Sequence, residues 1–108
     1  MGKSHREEPR ASGVVCAVMR AETRPGADEE FEALMRDLSD RVQAAEPGCA
    51  AYVVTRMIGS RTHFAVHAHF EDMAAFTGHA ETEHLKQAMP QLAALLAAPV
   101  SMEIFVAV

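Results

Sequence analysis

The sequence has no tryptophan, one tyrosine and two cysteines in 108 residues. Cys16 and Cys49 stand in no CxxC or Cys/His spacing. Neither a disulfide framework nor a zinc site is indicated, and reduced thiols in a cytoplasm are the reading that remains. Long apolar runs are missing too: the longest, residues 92–98, has seven residues against the roughly 20 of a membrane helix. The opening stretch MGKSHREEPR lacks the apolar segment of a secretory signal, and residues 1–12 read as a disordered leader. Basic charge is scarce. Ten Lys and Arg face fifteen Asp and Glu, a formal net charge of -5, and the basic side chains are scattered. Nucleic acid and anionic membrane are therefore poor partners. No Gly-rich phosphate loop, dinucleotide fingerprint or Ser/His/Asp set occurs, so nucleotide, nicotinamide and flavin binding have no support.

What is present is an ordinary globular composition, 49% apolar and 23% charged, without internal repeats. A chain of this size buries roughly two thirds of its unfolded surface, enough for one core and no second domain. Residues 13–108 are read as that single domain.

Residues 13–21 (GVVCAVMRA) are apolar and β-branched, which suits a strand buried on both faces. Pro25 and Gly26 break it, and Asp28, Glu29 and Glu30 then place negative charge where a helix N-terminus favours it. Phe31, Leu34, Met35, Leu38 and Val42 form one apolar stripe of a helix over residues 27–45, stopped by Pro47 and Gly48. Two strands, 49–58 and 62–70, are joined across Gly59, Ser60 and Arg61 as a hairpin. In the second, Phe64, Val66, Ala68 and Phe70 share one face, and His63, Ala65, His67 and His69 the other. A helix carrying Met73, Phe76 and His79 follows, then one over 82–97 that Pro90 should kink, then an alternating strand over 100–108.

The order is β-α-β-β-α-β with an elaborated second helical segment. It predicts an α+β, ferredoxin-like fold, a four-stranded antiparallel sheet with helices on one face. In that plan the first two strands are not neighbours, so Cys16 and Cys49 are too far apart to bridge. The first and last strands are apolar on both faces. The open sheet face should therefore be covered by a second copy of the chain, which implies a homodimer.

The segments EPGCAAY (46–52) and FEDMAAFTGHAETEHLK (70–86) resemble the antibiotic biosynthesis monooxygenase (ABM) family of dimeric α+β barrels. The shared features are Pro47-Gly48-Cys49 turning into a strand, Phe70 at a strand end, the Ala75-Phe76 pair, and His79 and His84 five residues apart. The resemblance implies the fold and a choice of functions. Members include cofactor-free oxygenases that turn phenolic or hydroquinone rings into quinones, haem-degrading enzymes and an isomerase. The family often carries a Glu two residues before an aromatic that is commonly Trp; here Ala68 and Phe70 stand there. The Asn, Trp and axial His of the haem-degrading branch fall on Met19, His79 and Met89, which disfavours haem degradation.

On the family frame the pocket lies between sheet and helices, and its substrate-binding lining would be Met19, Tyr52, Val54, Val66, Phe70 and Phe76, with His79 beside them. That apolar cleft suits a flat ring. The resemblance thus implies a monooxygenase or quinol oxidase acting on a small aromatic substrate with O2 and needing no cofactor. The alternatives are a non-catalytic ligand-binding dimer and an isomerase of a small carbonyl compound. His79 and His84 are the candidate catalytic residues, because imidazole can take a phenolic proton near neutrality. Five residues apart, they need not share a face, so a joint role is not expected. His63, His67 and His69 offer an His-x-His pattern, but no further ligand is spaced to complete a structural metal site, and their face is assigned to a polar dimer interface. Arg20, Arg56 and Arg61 are strand or turn cations. Arg56 shares parity with Tyr52 and Val54 and could orient an acidic phenol, with a surface ion pair as its expected role.

Overall fold

Period-two burial defines the strands and a four-residue stripe defines the long helix. The elements are β1 (Val15–Glu22), α1 (Asp28–Ala45), β2 (Cys49–Arg56), β3 (His63–Phe70), α2 (Met73–Ala80), α3 (Glu83–Ala93) and β4 (Ser101–Val106). The structure, a computed structural model, describes residues 13–108, and the leader expected over residues 1–12 lies outside them. The strands make one antiparallel sheet in the order β2-β3-β1-β4, the ferredoxin-like plan that the element order predicts. β1 and β2 are separated by β3, and both cysteines are free.

Asp28, Glu29 and Glu30 occupy the first turn of α1 and offset its dipole. Phe31, Met35, Leu38 and Val42 are buried against the sheet face formed by Val15, Ala17, Phe64, Val66, Ala68 and Phe70. Each such large side chain contributes roughly 1.5–3 kcal/mol by leaving water. The Phe31 and Phe64 rings meet at a centroid distance of 4.7 Å and anchor this face. The opposite face carries His63, His67 and His69, all exposed in the single chain. Arg56 pairs with Glu32 at 3.2 Å on the surface, Arg61 with Asp28 at 3.2 Å, and Arg20 with Glu103 at 2.6 Å.

Several boundaries differ from those expected. The hairpin loop spans residues 57–62 rather than three residues, and Ser60 Oγ closes it by accepting the Thr62 and His63 N–H groups at 3.1 Å. The last helix ends at Ala93, four residues short of 97. Its chain then turns so that Leu95 C=O accepts the Arg24 N–H at 2.9 Å and Ala97 N–H reaches Glu22 C=O at 2.8 Å. Tertiary pairing with the end of β1 wins there over helix continuation. Pro90 sits inside α3, which runs one further turn past it. No helix among the described residues is long and apolar enough to cross a membrane.

Candidate functional site

Two helix ends and one helix start meet beside the sheet. Asp72 caps α2 by accepting the Ala75 N–H at 2.8 Å, and Thr82 caps α3 through the Leu85 N–H at 3.4 Å. Between them the chain breaks. Thr82 Oγ1 donates to the His79 C=O at 2.8 Å, which closes α2 and redirects α3. On one continuous helix, residues five apart would point about 140° away from each other. The break removes that separation, and His79 from the end of α2 and His84 from the start of α3 both face Glu46, the residue that ends α1.

His79 Nδ1 lies 3.0 and 2.9 Å from the two Glu46 carboxylate oxygens, and His84 Nε2 lies 2.5 Å from Glu46 Oε2. The three side chains are nearly buried, at 12, 10 and 13% exposure for His79, Glu46 and His84, so water competes little for these bonds. Although their spacing does not require a shared face, the two rings are brought together: one carboxylate joins the two imidazoles. The His79 ring is set between Tyr52 and Phe70, with centroids at 5.5 and 5.4 Å.

His79 also lines an apolar cavity of about 210 Å³ between sheet and helices. Met19, Tyr52, Val66, Phe70 and Phe76 line it too, joined by Leu85, Met89 and Met102. Val54 does not. It lies in a separate groove with Glu32, Arg56 and Phe64, because its strand position is shifted beyond the reach of α2. His84 is also absent from the cavity wall and opens instead on a smaller groove, about 110 Å³, beside Leu34, Asp37 and Gln87. The Tyr52 hydroxyl is pushed up to about 12 by burial first, and then by the nearby Cys49 and Glu46, so it remains a neutral phenol. Burial likewise pushes the Cys49 thiol up.

Residue type and spacing do not single out Glu46. The one signal is that an acid at the C-terminus of α1 opposes the helix dipole, and no basic side chain sits in that last turn to compensate. Its partners come from distant sequence. Glu46, His79 and His84 are also the one cluster of three potential metal ligands among the described residues, their ligating atoms within 4.8 Å. Two imidazoles and a carboxylate are a set that divalent transition metals accept. In this structure the three are joined by hydrogen-bond contacts to Glu46, at 3.0 and 2.9 Å from His79 and 2.5 Å from His84.

Comparison with known proteins agrees with this architecture. A solved structure from Caulobacter crescentus, an inferred antibiotic biosynthesis monooxygenase, is 28% identical with a TM-score of 0.87, covering 97% of this chain and 99% of that one. A protein from Pseudomonas aeruginosa (24% identity, TM-score 0.81, 91% and 97% covered) shares the fold. So does an inferred antibiotic biosynthesis monooxygenase from Nitrosomonas europaea (18%, 0.84, 89% and 91%). No curated protein matches the sequence. Residues 14–91 match the profile of the antibiotic biosynthesis monooxygenase family, and the chain belongs to that family.

Proposed function

We propose that the chain is a cofactor-independent monooxygenase or quinol oxidase that converts a phenolic or polycyclic aromatic small molecule to a quinone, working as a cytoplasmic homodimer. The observation that carries this reading is the His79 imidazole, backed by a carboxylate, at the wall of an apolar cavity. The cavity's polar content is small, as a flat ring substrate requires. Neutral His79 takes the phenolic proton, and the phenolate passes one electron to O2. The resulting radicals combine as a carbon-bound peroxide. Return of the proton to that peroxide, with loss of the ring C–H proton and O–O cleavage, releases water and leaves one oxygen as the quinone carbonyl. In the monooxygenase route each turnover consumes one O2 and forms one water; in the quinol oxidase route the hydroquinone gives two electrons and two protons to one O2, which leaves as H2O2, and neither route needs an outside reductant. Tyr52, a neutral phenol at all physiological pH values, serves as a hydrogen-bond donor to the ring oxygen and not as a base.

Ala68 and Phe70 favour a second reading, a ligand-binding dimer without turnover, since the cavity wall there offers neither an acid nor an indole N–H. O2 uptake with a panel of dihydroxynaphthalenes and anthrones, without added metal or flavin, separates the two. The monooxygenase reading predicts uptake above the uncatalysed rate with at least one member of the panel. Saturable binding with no uptake by any member would replace it with the binding reading.

A further inference from the structure

We infer that Glu46 is the positioning residue of this site: it locks His79 as the Nδ1–H tautomer, leaving Nε2 as the bare nitrogen for the substrate proton, and His84 in turn fixes Glu46. The inference deepens the reading of His79 as the base and rests on it for its kinetic part alone.

Both Glu46 oxygens address a single nitrogen of His79, Nδ1, at 3.0 and 2.9 Å. An ionised carboxylate only accepts, so Nδ1 carries the hydrogen and the neutral ring keeps its lone pair on Nε2. The other carboxylate contact, His84 Nε2 at 2.5 Å from Oε2, is then also a donated N–H. His84 does not line the cavity; it reaches the groove beside Asp37 and Gln87, so it acts on the reaction only through Glu46. Arg41, on the same groove, is paired with Asp37 at 2.8 Å, which leaves Glu46 to the two imidazoles.

The charges balance over the three groups. With both rings neutral, the unit carries the single negative charge of an ionised Glu46. When Nε2 of His79 takes the phenolic proton, the imidazolium forms beside a carboxylate at hydrogen-bond distance and the unit becomes neutral. An imidazolium made at this cavity wall without Glu46 would be nearly buried and unpaired, which is costly. His84 keeps the carboxylate satisfied where little water reaches it, and so holds it aimed at Nδ1.

Two-bond ¹⁵N–¹H correlation spectra of the labelled protein read both tautomers and need no substrate. The expected result is Nδ1–H with a bare Nε2 for His79, and Nε2–H for His84; an Nε2–H tautomer of His79 overturns the inference. Glu46→Gln removes the counter-charge, and its amide can either accept from Nδ1–H or donate to Nδ1. It is expected to weaken the preference of His79 for Nδ1–H and to lower kcat about a hundredfold or more, with KM changed less than about threefold. His84→Gln still donates to Glu46 and is expected to keep the His79 tautomer. A Glu46→Gln protein with the parental kcat overturns the assignment. So does tight calorimetric binding of Zn²⁺ or Mn²⁺ that Glu46→Gln abolishes, since the three residues would then be metal ligands. If the wild type shows the expected tautomers and no O2 uptake, the base reading fails while the tautomer assignment stands.

Discussion

Tyr52 is the residue whose acid–base chemistry its surroundings change most. Burial in the wall of the cavity raises it from 10 to about 12. A tyrosine raised in this way binds its proton more tightly folded than unfolded between those values. Its contribution is therefore fully present below pH 10 and is lost as pH climbs through the folded value. The expected loss is at most about 3 kcal/mol between pH 10 and 12, read from denaturant midpoints. Tyr52→Phe should flatten that alkaline limb; a variant with the parental limb would show that another group causes it. At this scale the sequence is legible where residue type and strand parity suffice. Met19, Val66 and Phe70 come to the cavity because they alternate on one sheet face. Val54 shares the alternation and still misses it, since parity fixes a face and not which helix lies above it. Glu46 needs a contact 33 residues away to be recognised, and no local pattern carries that.

Among the elements, the turn from α1 into β2 is the one on which the site most depends, because Glu46 precedes it directly. Gly48 is required there by close approach and not by its backbone angle. A Cβ at this position would stand 2.8 Å from Ala75 Cβ on α2 and 3.2 Å from the Glu71 carboxylate. Gly48→Ala is expected to destabilise the fold by about 1–3 kcal/mol through this overlap, seen as a lower thermal midpoint. An unchanged midpoint would mean that α2 gives way freely. The element order and the pairing of strands are legible in the sequence because hydrophobic period and turn residues agree along the chain. The end of α3 is not. Leu95 and Leu96 continue its apolar stripe, yet their backbone groups bond to β1 neighbours, a long-range choice that helical periodicity cannot report. The convergence of His79 and His84 is hidden for a related reason, since it depends on a two-residue break between α2 and α3.

At the scale of the whole molecule, β4 stands out. Met102, Ile104, Phe105 and Val106 are each about half exposed in the single chain, on both faces of an edge strand. Such a strand invites association. The homodimer proposal predicts a stable dimer in sedimentation at micromolar concentration, and Val106→Lys should weaken it. A monomeric wild type would contradict this. Because Met102 also lines the cavity, a partner seated on β4 would help to close the site from water.

The central claim is that His79 performs proton abstraction, and O2 uptake per folded molecule by the parent and by His79→Gln tests it most directly. His79 is nearly buried between two aromatic rings, so truncation to alanine would also cost stability. Glutamine keeps much of the volume and can still bond to Glu46, so the two effects separate. The expected kcat is lower on the order of a hundredfold in a variant shown to be folded. A folded His79→Gln protein with the parental kcat would contradict it.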